Sequence, residues 1–129
     1  MNGKSGKKSI VKDKSYVFAL EVIQLSRTLR MKGEYELGGQ LIRSGTSIGA
    51  NIEEALAGIS RRDFVVKMGI ASKEARETYY WLRLVRDSGI ISSDEIHPMI
   101  EKVHELIHML TAIVKTGQTP SNSKLNTQN

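Results

Sequence analysis

The chain has no cysteine, which excludes a disulfide framework, a thiolate metal site and a cysteine nucleophile. That suits a reducing compartment such as the cytosol, where the protein is expected. Proline is almost as scarce: there are two, Pro98 and Pro120, so little interrupts helices. Aromatic residues make up 5% of the sequence, which fits a helical bundle better than a sandwich. No apolar run approaches the roughly 20 residues that a membrane span needs. The lysine-bearing N-terminal end is not followed by an apolar stretch with a small-residue cleavage site, so no signal peptide is expected.

What is present is a chain of 129 residues, 40% of them hydrophobic, enough for one domain with a modest core. Nineteen Lys and Arg against 14 Asp and Glu leave a net charge of +5, a balance that favours anionic partners, nucleic acid first. Lys4, Lys7, Lys8 and Lys12 fall in a Gly-, Ser- and Lys-rich lead. Residues 1–13 are therefore expected as a flexible basic arm, 14–116 as the folded domain and 117–129 as a polar, disordered tail.

Hydrophobic periodicity predicts four helices. The first spans about 14–31, with Phe18, Val22, Leu25 and Leu29 as its stripe, Tyr16, Leu20 and Ile23 widening it, and Gly33 as its stop. The second spans about 34–58. It reads both as a loop, because Gly45, Thr46, Ser47 and Gly49 are poor helix formers, and as a helix, because Leu37, Leu41, Ile48, Ile52, Ala55 and Ile59 share one stripe. A mid-helix glycine costs about 1 kcal/mol relative to alanine. Gly38, Gly45 and Gly49 therefore point to close approach by a neighbouring helix or, alternatively, to two short helices broken at Gly45.

The third helix, about 62–88, carries Phe64, Met68, Ala71, Ala75, Thr78, Leu82 and Val85 on one core stripe. Arg62, Lys73, Arg76 and Arg83 lie on the opposite side, and Val66, Ile70, Trp81 and Leu84 form a second apolar stripe between the two. One partner surface cannot cover two apolar stripes so far apart, so the second predicts an oligomer interface. Either Ser60 or Asp63 is placed to cap this helix. The fourth, capped by Ser93, spans about 93–115, with a seam of Ile96, Ile100, Val103, Ile107, Leu110 and Val114 and with Pro98 expected in the first turn. Short turns between four amphipathic helices predict an antiparallel up-down four-helix bundle, all-α.

His104-Glu-Leu-Ile-His108 matches the H-E-x-x-H pattern, in which two histidines on one helical face hold zinc and the glutamate acts as base. A catalytic zinc also needs a third protein ligand. The segment after His108 contains no His, Asp or Glu, and Glu101 shares the same face, so a solvated polar face is the expectation. Di-iron bundles take Glu-x-x-His pairs from two helices. Here Glu101–His104 and Glu105–His108 lie on one helix, and no cofactor is expected. Gly45-x-x-x-Gly49 lacks the Gly-Lys-Ser/Thr of a phosphate loop. Glu53 and Glu54 are adjacent and point about 100° apart, so they do not form an acid/base pair.

The basic set is the stronger functional signal. Arg62, Lys73, Arg76 and Arg83 form a row, with Arg43, Arg61 and Lys67 near it across the turn between helices 2 and 3, suited to neutralising phosphates without reading bases. Glu74, Glu77 and Asp87 offset part of that charge. Tyr79, Tyr80 and Trp81 are candidates for stacking, Trp81 equally for the interface and Tyr79 for the core edge.

Gln40-Leu-Ile-Arg-Ser-Gly-Thr-Ser-Ile-Gly-Ala-Asn-Ile-Glu-Glu-Ala55 resembles the signature of the bacterial four-helix-bundle family of ribosomal RNA intervening-sequence proteins. So do Ser60-Arg-Arg-Asp-Phe64, Ile70-Ala-Ser-Lys-Glu-Ala-Arg-Glu-Thr78 and Tyr80-Trp-Leu-Arg83. The family includes proteins encoded inside insertions in large-subunit ribosomal RNA genes and the accessory variability determinant of diversity-generating retroelements. The resemblance covers about residues 14–115. It implies a homopentameric barrel-like ring, a surface suited to RNA or DNA, association with a reverse transcriptase in the retroelement branch, and no catalytic residues. The residues and the resemblance together lead to a non-enzymatic homo-oligomer that binds nucleic acid, with a protein-binding scaffold or adaptor as the alternative.

Overall fold

A computed structural model describes residues 3–118, with side chains from residue 6 onward, and shows a four-helix bundle. The helices are α1 (Gly3–Met31), α2 (Tyr35–Leu56), α3 (Arg61–Asp87) and α4 (Ser93–Gln118). Several boundaries have a local cause. At the end of α1, Gly33 takes φ +83° and the Glu34 N–H donates back to the Leu29 carbonyl at 2.8 Å, closing the last turn with a left-handed residue. Gly89, at φ +77°, plays the same part after α3. Ser60 caps α3 by accepting from the Asp63 N–H at 3.0 Å.

Several expectations need correction. The lead from residue 6 to 13 is helical, not a flexible arm. Val11, fully buried, and Ser15 extend the stripe of Phe18, Val22, Leu25 and Leu29 backward at spacings of three and four, so burial outweighs the poor propensity of the glycines and serines around them. Tyr16 and Leu20 are exposed and do not widen the stripe, and Ile59 projects fully into solvent because α2 ends before it. The cap of α4 is Ser92: its Oγ accepts from the Glu95 N–H at 3.3 Å, Ser93 is already helical, and Pro98 falls in the second turn. The α4 seam drifts, with Leu106 and Ile113 buried in place of Ile107 and Val114. The buried set follows spacings of four, three, three, four and three, a face set by packing against α3 and α1 and not by a fixed alternation. Helix α4 also runs through Gly117 and Gln118, two residues into the expected tail; the remaining tail residues lie outside the described ones.

The core is one contiguous cluster, led by Phe18, Leu29, Leu41, Ile48, Ile52, Met68, Leu82, Ile96, Leu106 and Leu110. Burying each such side chain contributes about 1.5–3 kcal/mol before entropy is counted. Helix α2 is unbroken at Gly45. A Cβ there would stand 2.7 Å from both γ-methyls of Val22, one at Gly38 would stand 3.2 Å from the Ser26 carbonyl, and one at Gly49 would stand 3.3 Å from Ser15 Oγ. The glycines thus let α1 close on α2 inside the bundle. Ser26 Oγ donates to the Gly38 carbonyl at 2.8 Å across that seam.

On its other side α2 meets α3, where the hydroxyls of Ser44 and Thr78 hydrogen-bond at 2.9 Å in full burial. Helices α1 and α4 meet more loosely. Two ion pairs, Lys14–Glu105 and Lys102–Glu21, bridge them beside a gap of about 330 Å³. Among the described residues no helix is long and apolar enough to cross a membrane.

Candidate nucleic-acid interface

Helix α3 positions the candidate residues by its own pitch. With Met68, Ala71, Ala75, Thr78, Leu82 and Val85 buried, as their stripe predicts, the opposite side must face outward. Arg62 and Lys73 are exposed there and have no side-chain partner among the described residues. Arg76 lies on the same row and donates to Thr111 Oγ1 of α4 at 3.0 Å. Arg83 completes the row, its guanidinium 4.5 Å from the centre of the Tyr79 ring and 5.9 Å from that of Tyr80. Tyr79 in turn leans on His104 of α4, with the ring centres 4.4 Å apart. The Arg83 Nε is buried with no hydrogen-bond partner among the described residues.

The other three cations stand apart from this row, each for a tertiary reason. Arg43 on α2 is engaged by Glu77, by Glu74 at 3.5 Å and by Gln40 at 3.1 Å. Lys67 donates to Glu54 Oε1 at 2.8 Å, and this hydrogen bond and the carboxylate charge raise its pKa, so it stays a cation committed to that pair. Arg61 turns to the end of the bundle, where its Nε donates to the Gly117 carbonyl at 3.0 Å. There it joins Lys7 and Lys8 around a cavity of about 400 Å³ floored by Phe64 and Ile113, with Lys8 Nζ 4.5 Å from the Phe64 ring centre. Periodicity along one helix cannot show such pairings, because every partner but one comes from another element.

The second apolar stripe remains uncovered in the single chain. Val66 is 51% exposed and Leu84 38%, while Ile70 and Trp81 are half-buried at its margin. Trp81 Nε1 donates to Glu77 at 3.0 Å, which ties the stripe to the Arg43 pair. Near the end of α3, Asp87 accepts from Arg86 at 2.7 Å. This hydrogen bond holds the Asp87 carboxyl below its ordinary pKa, so its charge is spent locally.

The His-Glu-x-x-His segment is dispersed by its neighbours. His104 packs tilted against Tyr79, Glu105 pairs with Lys14 at 3.3 Å, and Glu101 pairs with His97 at 3.3 Å. Among the described residues, no group of three or more His, Cys, Asp or Glu side chains is placed to hold a metal ion.

Fold and surface together define an all-helical bundle with a basic outer row on α3. The chain belongs to the family described as 23S rRNA-intervening sequence protein, whose sequence model matches residues 7–112. Among solved structures it is similar to a protein of unknown function from the S23 ribosomal protein family of Bacteroides thetaiotaomicron VPI-5482. The two share 41% identity and a TM-score of 0.82, over 84% of this chain and 98% of that one. No curated protein matches the sequence.

Proposed function

We propose that this chain is a non-enzymatic, homo-oligomeric protein that binds nucleic-acid backbone through the outer row of α3. The observation that carries the reading is the state of that row: Arg62 and Lys73 have no side-chain partner among the described residues, with Arg76 and Arg83 in line beside them. The nearest carboxylates, Glu74, Glu77 and Asp87, are engaged by Arg43, Trp81 and Arg86. The family's description refers to 23S rRNA, which makes RNA the first ligand to test.

The subunit is an antiparallel up-down bundle in this reading. Its support is the register of α1 on α2, in which Ser26, Val22 and Ser15 face Gly38, Gly45 and Gly49 in turn. The oligomer, a pentamer by family resemblance, draws its support from the uncovered stripe of Val66, Ile70, Trp81 and Leu84. The cysteine-free sequence supports a cytoplasmic setting.

The test is native mass together with fluorescence anisotropy on structured RNA across a salt series. Affinity should fall steeply with salt, and each of Lys73→Ala and Arg76→Ala should lower the salt slope by about 1. A monomer, or no binding at low salt, overturns the reading.

One observation favours a second reading, a protein-binding scaffold for a reverse transcriptase or another partner. The apolar stripe carries an aromatic residue and lies beside an arginine, a composition common in the centre of protein interfaces. Pull-downs that survive nuclease treatment would support it over the first.

A further inference from the structure

We infer that Tyr80 is a stacking platform for an unpaired nucleobase, so that the strand crossing α3 is single-stranded where it meets that ring. The inference rests on the backbone-binding reading above and names the form of nucleic acid that the row accepts.

Three aromatic residues follow one another on α3, and the fold gives each a different duty. Tyr79 is taken up between the Arg83 guanidinium and the His104 ring. Trp81 is half-buried on the α2 side, with its N–H committed to Glu77. Tyr80 remains 46% exposed. It stands on the basic row itself, four residues after Arg76 and three before Arg83, spacings that align all three side chains along one helical line. Lys73 extends the line, and Lys73 to Arg83 span about 15 Å of helix axis.

The ring also has two neighbours on its own helix. Trp81 meets it edge-on at 5.0 Å between centres, and Arg83 lies 5.9 Å from its centre while packing on Tyr79. An exposed aromatic face flanked by cations is the arrangement on which bases of a single strand stack while its phosphates are neutralised on either side. In a duplex the bases are already stacked on each other, so a duplex offers Tyr80 no base face, and its phosphates meet only the cations. Stacking uses the base alone, so the platform accepts RNA and DNA alike.

The experiment uses the full chain, with fluorescein-labelled 15-residue oligouridylate, the matching oligothymidylate and a 15-base-pair RNA duplex, in wild type, Tyr80→Ala and Tyr80→Phe. Tyr80→Ala should weaken both single strands by roughly 5- to 100-fold and leave the duplex within about twofold, while Tyr80→Phe keeps wild-type affinity. Trp81 is the only tryptophan in the chain and touches Tyr80, so single strands should quench its fluorescence and the duplex should not. Equal losses for strand and duplex, or none for either, overturn the platform and leave backbone binding intact. Loss of the native oligomer in Tyr80→Ala also overturns it, by making Tyr80 an interface residue. Absence of wild-type binding to all three probes removes the backbone reading and the platform with it.

Discussion

Helix α2 has two seams, and they are built by opposite means. Toward α1 it presents glycines, and the fit depends on the side chains that are missing: Gly45 admits Val22, Gly38 admits Ser26 and Gly49 admits Ser15. Toward α3 it presents polar groups, with Ser44 bonded to Thr78 in the interior and Arg43 and Glu54 bonded to Glu74, Glu77 and Lys67 at the rim. The first seam tolerates no added volume, because a packed interior cannot absorb it. The second tolerates volume better but requires paired partners, because a buried hydroxyl left without one loses its hydration for nothing. One helix therefore has a side governed by sterics and a side governed by hydrogen bonding.

Substitutions at the two seams test that contrast. The largest effect is expected at the glycine side: Gly45→Leu should cost at least about 3 kcal/mol, since Val22 is fully buried and β-branched and cannot turn aside. Urea unfolding measures it, and a midpoint equal to wild type would remove the steric account of the α1 seam. Next comes the buried hydroxyl pair. Thr78→Val strands Ser44 Oγ and should cost about 1–3 kcal/mol, with part of the loss recovered when Ser44→Ala is added. Strict additivity of the two changes would argue against coupling across the α3 seam.

Gly39→Ala, on the same helix with nothing near its missing Cβ, should instead stabilise by up to about 1 kcal/mol, read as a rise in Tm. Destabilisation there would mean that glycine matters all along α2 and not only where α1 touches it. The smallest change is expected at the rim. Arg43→Ala removes an exposed pair and should cost about 0.2–1 kcal/mol, less at high salt. A larger, salt-independent loss would move Arg43 from rim to structural keystone.

Much of the fold was readable because burial follows helical period. The α3 stripe from Met68 to Val85 is buried residue by residue as its spacing predicts, and α2 is one helix because the stripe from Leu41 to Ala55 continues through Gly45. Failures occurred where composition and packing disagree. Around Val11 the glycines and lysines hide a core position, and at Leu106 and Ile113 packing against α3 and α1 moves the buried face off the regular alternation.

The candidate site was legible only in part. The outward row on α3 follows from period alone. The pairing of Arg43 with Glu74 and Glu77, of Lys67 with Glu54 and of Arg76 with Thr111 joins residues 13 to 35 positions apart. No single-helix pattern encodes those partners. A weak signal existed: Arg43, Glu74 and Glu77 all border the stripes by which α2 and α3 meet. Choosing between them and solvent needed the crossing geometry.

The loosely met pair, α1 and α4, has a consequence for how the chain finds this structure. The three closer seams all join helices consecutive in sequence, so each forms by closing a short turn, at Gly33, at 57–60 or at 88–92. Such local hairpins incur little loop-closure entropy, and helical topologies of this sort fold in microseconds to milliseconds. The seam that joins the chain's two distant helices has the least to contribute and the longest loop to close. It should therefore form last in refolding, and its amides should be the first to exchange with solvent.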